Sequence, residues 1–216
     1  MSFVRRIATP LFAFAAVFAA ACLAAHAQAG PDGITSLLGQ PLVPETLPTE
    51  AAARMERQRA EAMAAWKKDR DDADALIWAG RRTAYLGRYR EAIEIFSEGI
   101  ARHPGDARML RHRGHRFLTI REIDKAAADL ERAAALVEGR PDEVEPDGLP
   151  NARDIPTGTL HSNILYHLAL AYYLQGDFNR AAGTWRRARD AVANPDNLVA
   201  CSHWLYLSLR RAHRDA

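Results

Sequence analysis

The side chains best suited to chemistry in this 216-residue chain are histidines and arginines. His112 and His115 stand three apart, on one face of any helix that holds them, and His161 and His167 follow in a later apolar stretch. Neutral imidazoles bind zinc or copper. A metal site needs more than this: there is no His-Glu-x-x-His pattern and no carboxylate at ligand spacing from these histidines. The reading is polar histidines of a binding groove, with no metal and no cofactor. Ser162 beside His161 is adjacency, not a triad geometry. No nucleophile elbow, phosphate-binding glycine loop or cysteine pair is present. The aspartates of Asp69-Arg70-Asp71-Asp72-Ala73-Asp74 lack the glycine and closing glutamate of a calcium loop, so they read as a solvated helix start. Catalysis is not expected. Binding is, and it depends on what positions the arginines and histidines.

The positioning elements show as a recurring frame. Leu76, Gly80, Gly87, Tyr89, Ala92 and Phe96, in a first copy that Pro104 closes, return 34 residues later as Leu110, Gly114, Arg121, Ile123, Ala126 and Leu130. A further 55 residues on, they return as Leu165, Ala169, Gly176, Phe178, Ala181 and Trp185, one period plus an insert of 21. Small residues fall where two helices must approach closely, glycine falls at the turn between them, and Pro104 removes a helical donor. Arg121 takes the glycine slot in the middle copy, which predicts an altered turn there. This frame resembles the tetratricopeptide repeat, a 34-residue helix-turn-helix unit that buries its apolar face only by stacking on neighbours. The resemblance spans Ala73 to Pro195. It implies an all-α fold, a short right-handed superhelical solenoid.

The organisation expected on that basis is a signal peptide at 1–29 and an extended or mobile leader at 30–48. A capping helix and connector follow at 49–72, with Thr49 as the cap, then repeat 1 at 73–106 and repeat 2 at 107–138. A Pro/Gly-rich insert at 139–161 separates these from repeat 3 at 162–195, and a C-terminal capping helix occupies 196–216. The signal reading rests on Arg5-Arg6, the apolar run from Leu11 to Leu23, and small residues that permit cleavage near position 27 or 29. Periplasmic or secreted location follows, with no stable membrane span after cleavage. A lipoprotein acylated at Cys22 is the weaker reading, because Ala19-Ala20-Ala21 lacks the large aliphatic residue such sites carry. Removing residues 1–27 takes away two arginines and no acid, leaving 27 basic and 27 acidic residues, so nucleic acid loses its electrostatic argument. Cys201 is then the only cysteine and reads as a small core residue.

In this family the first helix of each repeat lines a concave face that binds a peptide or protein. The resemblance places Trp78, Arg81 and Tyr85 there from repeat 1, with Ile77 and Asp74. Repeat 2 supplies Arg108, Arg111, His112 and His115, and repeat 3 supplies Asn163, Tyr166, His167 and Tyr173. The last helix adds Trp204 with Cys201 and Asn197. Arginine, tyrosine and tryptophan dominate interface energies, and arginine forks match carboxylates. The five positions that clamp a terminal carboxylate in chaperone-binding members hold Ile77, Arg81, His112, Asn163 and His167 here, so that specificity is not carried over. The expected function is a non-catalytic protein-interaction module or scaffold of the cell envelope whose partner is a protein or peptide, an acidic segment being one candidate. A small-molecule or metal receptor and an outer-membrane assembly lipoprotein are the alternatives. The insert is acidic in its first half, with Asp142, Glu143, Glu145 and Asp147. It is expected to dock near the groove, held chiefly by Val144, Leu149, Ile155 and Leu160.

Overall fold

The computed structural model describes residues 33–43, 46–146, 158–192 and 194–213. The expected signal segment, Cys22, and Leu149 and Ile155 of the insert lie outside the described residues. Residues 33–43 belong to a unit separate from the rest. They are not extended as expected: Ser36 Oγ accepts from the Leu38 and Gln40 amides, and Leu42 donates to the Ile34 carbonyl at 2.8 Å, closing a tight turn.

The second unit contains eight helices among its described residues: α1 (Thr49–Lys68), α2 (Ala73–Tyr85), α3 (Tyr89–Arg102), α4 (Ala107–Thr119), α5 (Ile123–Val137), α6 (Leu160–Gln175), α7 (Phe178–Ala191) and α8 (Pro195–Arg211). Their starts are set by local chemistry. Asp72 caps α2 by accepting from the Asp74 and Ala75 amides, and Asn194 caps α8 ahead of Pro195. Thr159 and Ser162 form a capping box at α6, which is why that helix begins at Leu160, inside the stretch assigned to the insert. Thr49 is not a cap; it is the first residue of α1, and Pro48 before it makes no side-chain bond.

Periodicity sets the packing. On α3 the buried set is Ala92, Ile95, Phe96, Gly99 and Ile100, one helical stripe. Each helix packs against the next in chain order, and the first helices α2, α4 and α6 also touch one another in sequence. A single apolar cluster runs from Trp66 on α1 through Leu76, Phe96, Met109 and Leu110 to Ile164 on α6. The close crossings need their small residues: a Cβ on Gly80 would fall 2.5 Å from the Phe96 ring, and one on Gly114 would fall 2.8 Å from Leu130 Cγ. Polar ties cross the layers too. Arg113 donates to both Asp129 oxygens at 2.7 Å and to Ser97 Oγ at 2.9 Å, joining α3, α4 and α5.

The three inter-helix turns keep the left-handed residue at the expected slot. Gly87 has φ 76°, Gly176 has φ 81°, and Arg121 has φ 66°. For arginine that conformation costs roughly 1–2 kcal/mol. It is held in place because the Glu122 amide bonds the Phe117 carbonyl at 2.9 Å and the Arg121 guanidinium bonds the Leu118 and Thr119 carbonyls. Among the described residues, no helix is long and apolar enough to cross a membrane.

Candidate functional site: a basic groove holding an internal acidic strap

The wall formed by α2, α4 and α6 carries most of the polar side chains that the sequence singles out. What holds them together is the start of the insert. After α5, Gly139 takes φ 72° and the chain turns back, and Asp142–Pro146 runs as a strap beside the entry to α6. Val144 and Thr159 form an antiparallel bridge. The Leu160 amide donates to the Glu143 carbonyl at 2.9 Å, and the Glu145 amide donates to the Gly158 carbonyl at 3.1 Å. Asp142 Oδ1 accepts from the His161 amide at 3.0 Å, placing a negative charge on the first turn of α6.

Glu145 is the centre of the site, with its side chain 11% exposed. One carboxylate oxygen accepts from Asn163 Nδ2 at 2.7 Å and lies 3.0 Å from Arg111 Nε. The Arg111 contact is an ion pair rather than an aligned hydrogen bond, since that buried Nε–H finds no acceptor in line. The other oxygen lies 3.4 Å from His112 Nε2. Arg111 Nη1 lies 3.0 Å from His112 Nδ1. A guanidinium only donates, so Nδ1 accepts and the imidazole proton sits on Nε2, facing Glu145. Arg81 completes the seat by donating to the Pro146 carbonyl at 2.7 Å and to Tyr85 Oη at 3.3 Å, while its guanidinium stacks over Trp78 at 4.4 Å.

Beyond this seat the wall continues in stacked rings. His112 lies over Phe96, with centroids 5.4 Å apart, and His115 meets His167 at 4.2 Å. His167 Nδ1 donates to the Asn163 carbonyl at 2.6 Å. Burial pushes all three imidazoles down: His112 and His115 fall well below the usual histidine range, with Arg111 reinforcing the first and His167 the second. His167 is pushed down to about 3 by burial and by Arg111, against the pull of its bond to Asn163. Burial also lowers Arg111, with Glu145 opposing, and pushes Arg116 down to about 10, with Arg111 adding to the effect. At neutral pH the histidines are therefore uncharged, and among the described residues Arg81, Arg111 and Arg116 face one carboxylate, that of Glu145.

Arg81, Arg111, His112 and Asn163 converge on the strap, and Trp78, Tyr85, His115 and His167 border them. Arg108 does not join: it pairs with Asp106 at 2.6 Å and Asp74 at 2.6 Å at the edge of the wall. Tyr173 and Trp204 form an aromatic cluster with Phe178 and Trp185 between α6, α7 and α8, and Tyr166 links that cluster to His167. Ile77 and Cys201 are core residues, 6% and 0% exposed, and burial raises the Cys201 thiol. Of the four apolar anchors expected to hold the insert, Leu160 is buried in the core, Val144 is not, and Leu149 and Ile155 lie outside the described residues. Val144 is 60% exposed, and among the described residues the strap at 142–146 is held by Glu145 and the backbone bonds to Gly158 and Leu160. Sequence reasoning drew the acidic half of the insert towards Arg108, Arg111 and the groove histidines without singling out Glu145, and did not single out Arg116. The acidic run was visible, but its register against α6 was not. Among the described residues, no three His, Cys, Asp or Glu side chains converge as metal ligands.

No family model matches the chain, and no curated protein matches it. Solved structures do. The crystal structure of MamA protein aligns over 76% of this chain and 76% of its own, at 15% identity with a TM-score of 0.57. The first tetratricopeptide repeat of Spaghetti (RPAP3), bound to the HSP90 peptide SRMEEVD, aligns over 65% of this chain and 93% of its own, at 15% identity with a TM-score of 0.52. YrrB, a tetratricopeptide protein with an unusual peptide-binding site, aligns over 70% of this chain and 66% of its own, at 12% identity with a TM-score of 0.53. At these identities the likeness is one of fold.

Proposed function

Because the chain has the tetratricopeptide-repeat fold, we propose that it is a non-catalytic protein-interaction module of the cell envelope that binds an acidic peptide segment along α2, α4 and α6. In the free chain its own strap fills that place. The observation that carries this reading is the seat of Glu145 among Arg111, His112 and Asn163, with Arg81 on the neighbouring carbonyl. A carboxylate on an extended segment is what these donors accept. Three of the five positions compared with a carboxylate clamp, Arg81, His112 and Asn163, contact the strap. The strap reads Asp142-Glu143-Val144-Glu145, the same order of acid, acid, valine, acid as the Glu-Glu-Val-Asp end of the peptide bound to Spaghetti. The partner's acidic side chain would exchange with Glu145, so the free chain binds more weakly than an open groove would.

Titration with the peptide Ser-Arg-Met-Glu-Glu-Val-Asp tests this. Replacing residues 141–156 with a short Gly-Ser bridge removes the internal competitor, and binding is expected to tighten roughly tenfold over the intact chain. Arg111→Met in the bridged chain abolishes it. A bridged chain that keeps its helical circular dichroism yet binds no acidic peptide would sink the proposal. The envelope location rests on the N-terminal reading. N-terminal sequencing of protein from native envelopes is expected to start near position 28 or 30; an intact Met1, or a start at acylated Cys22, would contradict this cleavage.

A further inference from the structure

A cavity of about 140 Å³ opens at the seat, lined by Arg81, Arg111, Arg116, Tyr85, the imidazoles of His112 and His115 and, on one side, the Glu145 carboxylate, with Ala84 and Phe96 as its apolar floor. It is near the volume of a cavity that holds a six-carbon ring. That is room for one compact charged group and too little for a drug-sized ligand. Its charge is unbalanced. Arg111 has Glu145, but among the described residues no carboxylate comes within ion-pair distance of Arg81 or Arg116. Among the described residues Arg81 bonds neutral oxygens, those of Tyr85 and Pro146, and the Arg116 guanidinium lies over the face of the Tyr89 ring at 5.7 Å. Buried or half-buried guanidiniums that outnumber the one carboxylate beside them, next to neutral imidazoles and a phenol, form an anion site.

We propose that this cavity binds a compact anionic group, a carboxylate or a phosphate, with Arg116 and Arg81 as its counter-charges. The group would be carried either by a free small molecule or by a second acidic side chain of the segment that occupies the groove. The site stands on its own side chains and does not require the peptide reading above.

The test is calorimetric titration of the full chain, at low ionic strength, with inorganic phosphate, with succinate, and with Ser-Arg-Met-Glu-Glu-Val-Asp. Saturable binding of at least one probe is expected, weakened at least tenfold by Arg116→Gln and by Arg81→Gln, and unchanged by Arg102→Gln on the exposed surface. Arg116→Gln removes a charge that has no carboxylate in reach among the described residues, so the variant should stay folded, and its melting temperature checks this. Binding of phosphate or succinate assigns a free ligand even if the peptide fails, an outcome that would count against the peptide reading alone. Binding of the peptide only, with the same loss in Arg116→Gln, assigns the second acidic side chain. Absence of saturable binding for all three probes overturns the proposal, and so does binding that Arg116→Gln and Arg81→Gln leave intact.

Discussion

Replacing Glu145 with glutamine is expected to lower stability by about 3–5 kcal/mol, read as a fall in the urea midpoint. The reason is asymmetric. Arg111 sits on the rigid α4 with a side chain 10% exposed, among Arg81, Arg116 and His112. Without the carboxylate its charge stays buried among like charges, and a neutral amide restores a hydrogen bond but not the charge. Arg111→Met should cost much less. Glu145 belongs to a strap whose neighbours Glu143, Val144 and Pro146 are exposed, so an unpaired carboxylate can swing into water. The pair Arg111→Met with Glu145→Gln should recover most of the loss, because two neutral groups then share the seat. Equal destabilisation by the two single variants would mean that the strap is as rigid as the helix.

Acid lability is the second large effect. In the folded chain His167 is held neutral down to about 3, whereas an unfolded histidine takes up its proton near 6.5. Between those values the unfolded state binds more protons, so stability rises with pH and falls as the solution is acidified. His112 and His115 are shifted the same way. From pH 6.5 to about 4.5 few carboxylates titrate, so this window belongs to the histidines. Each contributes at most roughly 1.4 kcal/mol per pH unit there, less where solvent reaches the ring. Urea midpoints at pH 7, 6 and 5 should therefore drop steeply. His167→Gln, which keeps a donor for the Asn163 carbonyl, should flatten the slope. A slope unchanged in that variant would show that His167 is protonated in the folded chain.

The helices and their crossings were legible because they repeat. Gly80 and Gly114 mark close approaches that the Phe96 ring and Leu130 confirm, and the Arg121 slot shows up as a left-handed arginine. The site was legible only in part. Arg81, Arg111, His112 and Asn163 follow from first-helix offsets, but those offsets say nothing about an insert without periodicity. That Glu145 rather than Glu143 is seated depends on the ladder with Gly158 and Leu160, a register that composition cannot supply. Tyr173 and Trp204 have interface-type side chains, yet their rings meet Phe178 and Trp185. Residue type alone does not separate a binding aromatic from one that packs repeats together. Arg116 escaped notice because what marks it out is that, among the described residues, no carboxylate is in reach of it.

The central claim is that strap and partner compete for one seat. Amide exchange measured on the intact chain tests it most directly, through the Glu145 and Leu160 amides that fasten the strap to Gly158 and Glu143. In the free chain both are expected to be protected. On saturation with an acidic peptide both should exchange faster, while amides in the middle of α4 become slower. A peptide that binds while the Glu145 and Leu160 amides keep their full protection would contradict the account.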